Sequence, residues 1–186
     1  MIGYAMCGSF CTLGRSLEIL SSLCETYDML PIMSPITYET DTRFGKAKDH
    51  IKQAEDLCGR EIIHTVDAAE PLGPARPLEA LVICPCTGNT LAKMARGITD
   101  TAVCMAAKAH LRSDRPLLIA LASNDAMSAN LGNIATLLNR KQVYFVPMKQ
   151  DDPISKPHSL VADLSLVKDA LSAALEGKQL RPLFLS

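Results

Sequence analysis

The stretch LVICPCTGNTLAKMARGITDT (Leu81–Thr101) runs from apolar residues through two cysteines and a proline into a cluster of small hydroxyl and amide residues. Together with Ala80, its first part reads as a buried strand over 80–85. Helical material follows from Asn89 to about Arg112. Cys84 lies inside the strand and Cys86 one residue past its end, so the strand period of two points both side chains the same way. A tetrahedral metal would need two more ligands from afar. The remaining cysteines, at 7, 11, 24, 58 and 104, form no C-x-x-C, and no His-x-x-x-His completes a set. The thiols therefore read as small hydrophobes, with no metal site expected. Thr87-Gly88-Asn89-Thr90 is the end of a strand turning into a helix. Two roles are open to it: simple capping by Asn89 or Thr87, or binding a ligand with the same groups.

The same alternation extends in both directions. IGYAMC (2–7) reads as a strand, and Leu13, Leu17, Leu20, Cys24 and Tyr27 recur at helical spacing after the 8–12 turn. DMLPIMS (28–34) reads as a second strand weakened by Pro31, followed by a polar loop and a helix over 46–58. EIIHTV (61–66) reads as a third strand, and AEPLGPARP (69–77) as a loop. PLLIALA (116–122) and QVYFVPM (142–148) are two more strands, separated by a helix over 126–139, and a last helix covers 157–176. KQDDPISKP (149–157) is the one disorder-prone stretch. Strands alternating with helices predict an α/β fold: a doubly wound, three-layer parallel sheet of about six strands. The 186 residues, 48% of them apolar, suit a single domain over the whole chain.

Composition narrows the function. A net charge of -1 supplies no basic field for nucleic acid or an anionic membrane, and 4% aromatics with no Trp gives no base-stacking platform. No apolar run reaches the roughly 18 residues a membrane span needs. The first residues, MIGYAMCGSF, lack a charged n-region and a cleavage site. A cytoplasmic location is expected.

In open α/β sheets ligands sit beyond the carboxyl ends of the strands. Four segments there carry small polar residues rather than charge: Gly8–Thr12, Ser34–Thr37, Cys86–Thr90 and Ser123–Asp125. Such loops present backbone N–H groups and neutral donors at helix N-termini, which suits a phosphate or a polarised ring. Arg43 and Lys46 could grip a dicarboxylate, or be solvated loop charges. Lys93 and Arg96, placed early in a helix, oppose its dipole and hint at anions nearby. His110 falls at a helix end, where it could cap the last carbonyls. Glu70 could be a general base if desolvated, or a solvated loop residue. His64 reads as a core or strand-end histidine. No strand-to-helix turn carries G-x-G-x-x-G; the first, CGSFCTLG (7–14), has a single glycine where that fingerprint needs several close together.

CPCTGNTLAKMARGITDTAV resembles the Pro-x-Thr-x-Asn-Thr-x-x-Lys-x-x-x-Gly-Ile-x-Asp segment of the flavin-containing cysteine decarboxylase family. LASNDAMSANLGNIATLL is similar to that family's second signature: Asn124, Met127 and Asn130 match, while Leu121, Ser123 and Ser128 replace its Pro, Met and Trp. Across essentially the whole chain, GSFCT, TDTRFGKA, AEPLGP, CPCTGNTLAKMARGITDT, NIATLLNRKQVYFVPMKQDDP, KPHSLVAD and AALEGKQLRP resemble, in order, the B subunits of bacterial dipicolinate synthases. The resemblance implies a flavodoxin-like fold and work on dipicolinic acid, the calcium chelator of bacterial spores. Its precursor would be a (hydroxy)tetrahydrodipicolinate, a small dicarboxylate.

The resemblance also implies an FMN site at Gly8, Ser9, Thr12, Ser34, Thr87, Gly88, Asn89, Thr90, Ser123 and Asn124, with Asn124 a catalytic candidate. Arg43 and Lys46 remain the substrate-binding candidates. The decarboxylases' catalytic His is missing from the region AEPLGP, where Glu70 stands instead, so cysteine decarboxylation is not expected. Because ring formation removes hydride equivalents, NADP is expected on a Rossmann-type A subunit, and a homo-oligomer is expected by family analogy. A self-sufficient flavoenzyme and a non-catalytic binding subunit are the alternatives.

Overall fold

The computed structural model describes residues 1–186. In chain order its elements are β1 (Ile2–Met6), α1 (Phe10–Cys24), β2 (Met29–Met33), α2 (Pro35–Glu39), α3 (Ala47–Cys58), α4 (Val66–Ala69), β3 (Leu81–Thr87), α5 (Gly88–Arg96), α6 (Ala102–Leu111), β4 (Leu117–Ser123), α7 (Leu131–Leu138), β5 (Val143–Phe145), β6 (Met148–Lys149), β7 (Leu160–Ala162) and α8 (Val167–Leu175). The sheet runs β2-β1-β3-β4-β7-β6, with β5 also pairing β4. The strands β2, β1, β3, β4 and β5 are parallel, while β7 is antiparallel to both β4 and β6. This is the expected α/β architecture with an antiparallel margin, a common addition to parallel sheets.

Alternation along each strand builds two cores. From β1, Ile2, Tyr4 and Met6 face one side, where α1, α3 and α8 pack; Ala5 and Cys7 face the other, covered by α4 to α7. Between Ile83 and Cys86 the register of β3 against β4 shifts. The extra residue reverses the alternation, so Cys84 joins the first core and Cys86 the second. The two thiols therefore point opposite ways, contrary to the simple period of two. Ser16 Oγ donates to the Cys84 carbonyl (2.6 Å), and Tyr4 Oη bonds both Ser16 O and Ser16 Oγ (2.9 Å each). This buried network fixes α1 against the irregular strand.

Several sequence expectations are corrected. The 61–66 stretch is not a strand: only Ile63 bridges Ile32. Ile63 N donates to Pro31 O (3.0 Å) and Met33 N to Ile63 O (2.9 Å), so Pro31 turns its peptide toward the outer edge, where its missing N–H stops a ladder. Thr65 then caps α4, accepting from Ala68 N. The helix expected from Asn89 to Arg112 breaks at Gly97, whose φ of 73° ends α5 in the left-handed region. Lys93 and Arg96 thus lie in the last turn of a nine-residue helix, where cations suit the dipole, and Lys93 pairs with Asp100 (2.9 Å). His110 caps nothing: fully buried, it bonds the Pro116 carbonyl through Nε2 (2.9 Å). The helix expected over 126–139 starts only at Leu131, and the one over 157–176 gives way to β7 before α8.

Candidate functional site

The chain order reverses between β1 and β3, which opens a crevice at their carboxyl ends. The cleft there has a volume of about 730 Å³, within the ordinary range for small-molecule sites. Its floor is made by Gly8–Thr12 after β1, Thr87–Asn89 after β3, and Ala122–Asp125 at the end of β4. Arg43 and Phe44 enter from the α2–α3 connection, and Asp151, Lys156 and Val161 from the β6–β7 hairpin.

Two glycines on the floor stand close against neighbouring side chains, Gly88 the more tightly. A Cβ on Gly88 would stand 2.4 Å from Ser123 Oγ, 2.7 Å from Asn130 Nδ2 and 2.8 Å from Asp125 Oδ1. A Cβ on Gly8 would stand 2.8 Å from Ile36 Cγ2. Gly8 stands just before α1, and Gly88 opens α5. Thr87 caps α5 by accepting from Thr90 N (3.3 Å), which leaves the Asn89 side chain free at the cleft. Ser9 makes no cap to α1. Thr12 Oγ1, with a single proton, donates to Ser9 O (2.8 Å) and also lies 2.9 Å from Ser9 Oγ. Both helix starts offer N–H groups suited to an anion.

Charge in the cleft is balanced, two carboxylates against two cations, with one ion pair formed. Asp125 accepts from Ser123 Oγ and Asn130 Nδ2, and these hydrogen bonds hold its carboxyl below the usual range. Asp151 is held low first by Lys156, whose ammonium lies 2.8 Å away and is itself pushed up by that carboxylate. Arg43 has no ion-pair partner; its guanidinium sits 4.8 Å from the centroid of the Phe44 ring, which is 47% exposed.

Of the residues singled out from sequence, Gly8, Ser9, Thr12, Arg43, Thr87, Gly88, Asn89, Ser123 and Asn124 line the cleft together. Ser34 does not: it is buried, its hydroxyl bonded to Thr37 Oγ1 (2.9 Å) at the head of α2. Thr90 is buried beneath the floor, donating to Cys7 Sγ (3.3 Å). Lys46 is exposed at the start of α3, and Glu70 is exposed at the end of α4; neither reaches the cleft. His64 is half-buried and stacks on Tyr38, ring centroids 3.8 Å apart. Sequence reasoning missed Phe10, Cys11, Phe44, Asp125, Asp151 and Lys156. Phe10, Cys11 and Asp125 sit inside loops already noted for their position after strands, which was signal enough. Nothing in the sequence marked 151–156 as a cleft wall.

A nucleotide-scale cleft at the reversal point of a 2-1-3-4-5 parallel order is the hallmark of flavodoxin-like proteins. The model of the Flavoprotein family matches residues 2–172, and the chain belongs to that family. Within it, the chain is 39% identical over 185 residues to the B subunit of dipicolinate synthase from Bacillus subtilis (strain 168), covering 99% of this chain and 92% of the relative. The crystal structure of the corresponding dipicolinate synthase B subunit from Bacillus halodurans C superposes with a TM-score of 0.91 at 36% identity, over 100% of this chain and 95% of that one. An FMN-dependent cysteine decarboxylase, SpaF, shares the fold (TM-score 0.70, 22% identity, 94% of each chain).

Proposed function

We propose that this chain is the B subunit of a dipicolinate synthase, forming dipicolinic acid from a (hydroxy)tetrahydrodipicolinate together with an NADP-binding A subunit. The observation that carries the reading is the cleft: a floor of bare backbone and neutral donors, flanked by an unpaired arginine and an exposed aromatic ring. The floor fits the phosphate of FMN, because two helix starts carry N–H donors there and the Ser9 and Thr12 hydroxyls line it. Gly8, Ser9 and Thr12 would hold the phosphate side, with Thr87, Gly88, Asn89, Ser123 and Asn124 along the ring; bound FMN would supply hydride-accepting chemistry. Arg43 binds a substrate carboxylate and Phe44 offers a flat apolar face to the heterocycle. Asn124, a neutral donor and acceptor at the end of β4, orients the substrate.

Net turnover passes the hydride on to a nicotinamide, which this chain is not built to hold. No strand-to-helix turn is glycine-rich enough for the close pyrophosphate approach of a dinucleotide, so the nicotinamide belongs to the A subunit. The test is reconstitution: purified chain, precursor and NADP, with and without the A subunit, following ring absorbance. Dipicolinate formation dependent on both chains supports the reading. An equal rate from this chain alone removes the division of labour, and full activity of the A subunit alone removes the catalytic role.

A further inference from the structure

The cleft's second cation is Lys156, and the topology puts it opposite Arg43. Arg43 follows β2, at one margin of the sheet, whereas Lys156 lies in the hairpin between β6 and β7, at the other margin. Both side chains line the same cavity, with the β1, β3 and β4 loops between them. A flat dicarboxylate held in the cavity above those loops, whose floor is assigned to FMN, has one cation at each flank. Lys156 is 48% exposed and donates one of its three N–H groups to Asp151 Oδ2 (2.8 Å), which leaves two for another acceptor. The Asp151 pair therefore aims the ammonium without using it up. The turn that carries the pair is fixed at the neighbouring Asp152, whose carbonyl accepts from Lys156 N (2.8 Å) and whose Oδ1 accepts from Ser155 N (2.9 Å).

Resting on the substrate class proposed above, we infer that Lys156 is the specificity-determining residue for the second carboxylate. Arg43 grips one carboxylate of the ring and Lys156 the other, so the cleft selects dianions over monoanions. Asp151 is the positioning residue that holds Lys156 at the right flank.

The full chain, with FMN supplied throughout, is titrated calorimetrically with pyridine-2,6-dicarboxylate and with pyridine-2-carboxylate. In Lys156→Gln, affinity for the dicarboxylate falls about tenfold, the scale of one charge-assisted hydrogen bond, while affinity for the monocarboxylate stays within about twofold. Lys156→Arg keeps most of the dicarboxylate affinity, and the loss in Lys156→Gln confined to the dicarboxylate is what a merely structural role for the loop does not predict. Equal weakening of both ligands in Lys156→Gln, or of neither, overturns the inference and leaves the function standing. A native chain that binds neither ligand overturns the substrate class itself.

Discussion

Replacing Gly88 with alanine tests how tightly the floor of the cleft is built. The new methyl would meet Ser123 Oγ, Asn130 Nδ2 and Asp125 Oδ1, all under 3.0 Å. These three atoms form one hydrogen-bonded set, with Asn130 Nδ2 2.9 Å from Asp125 Oδ1, so none can yield without loosening the others. Overpacking of this kind costs about 1–3 kcal/mol. Gly88 is the first residue of α5, where the gain of alanine over glycine in a helix interior does not apply, so the net loss is about 1–3 kcal/mol. For a chain of this length that lowers Tm by roughly 2–12 °C. The matched control is Gly14→Ala, inside α1 and exposed, where a Cβ meets nothing within 4 Å; there only the helical gain of about 0.5–1 kcal/mol remains, and Tm rises. Differential scanning calorimetry of the two variants beside the native chain decides. If Gly88→Ala is as stable as Gly14→Ala, the Ser123–Asp125–Asn130 set is not the tight floor described.

Ser16→Ala should cost about 1–3 kcal/mol by urea denaturation, because the buried Cys84 carbonyl loses its hydroxyl donor while Tyr4 keeps the Ser16 carbonyl; an unchanged midpoint would show that the network does not hold α1. Burial pushes the His110 imidazole below its ordinary 6.5, and its Nδ1 has no hydrogen-bond partner. Below about pH 6.5 the unfolded chain therefore binds a proton more readily than the folded one. Its contribution to stability is complete above that pH and falls as the pH drops through the window beneath it. A Tm profile between pH 7.5 and 5 should fall, and His110→Gln should flatten part of that slope; identical slopes would remove His110 as its source.

The central architecture was legible because period-two apolar runs and helical spacing are local properties. β1, β2, β3, β4 and the helices α1 and α3 follow from them directly. The strand expected at 61–66 had the right composition, but the outcome depended on which edge Pro31 turned outward, a fact of register that one segment cannot reveal. The same holds for Cys84 and Cys86. A two-residue spacing fixes a shared face only in a regular strand, and the shift between Ile83 and Cys86 arises from pairing with β4. The floor of the cleft was legible for a different reason: glycine, serine, threonine and asparagine after apolar runs are where backbone donors must be free.

The wall of the cleft was not legible, and the cause lies in the length of β5. This strand covers only Leu117–Ile119 of β4, and the carboxyl end of β4, Ala122 and Ser123, is left for another partner. That open margin is unpaired backbone, which a sheet must cover or pair. The chain does so by turning back after β6 and laying β7 antiparallel against Ala122 and Ser123, the residues that form the cleft floor. The connecting segment, polar and rich in proline and aspartate, looks from sequence like a solvated linker. Its position is set by the strands at its ends, and those are two and three residues long, too short for any period to show. Arg43, reached by a loop after a recognisable strand, could be named from sequence; Lys156, carried over the site by a strand visible only once β4 is seen to be half covered, could not.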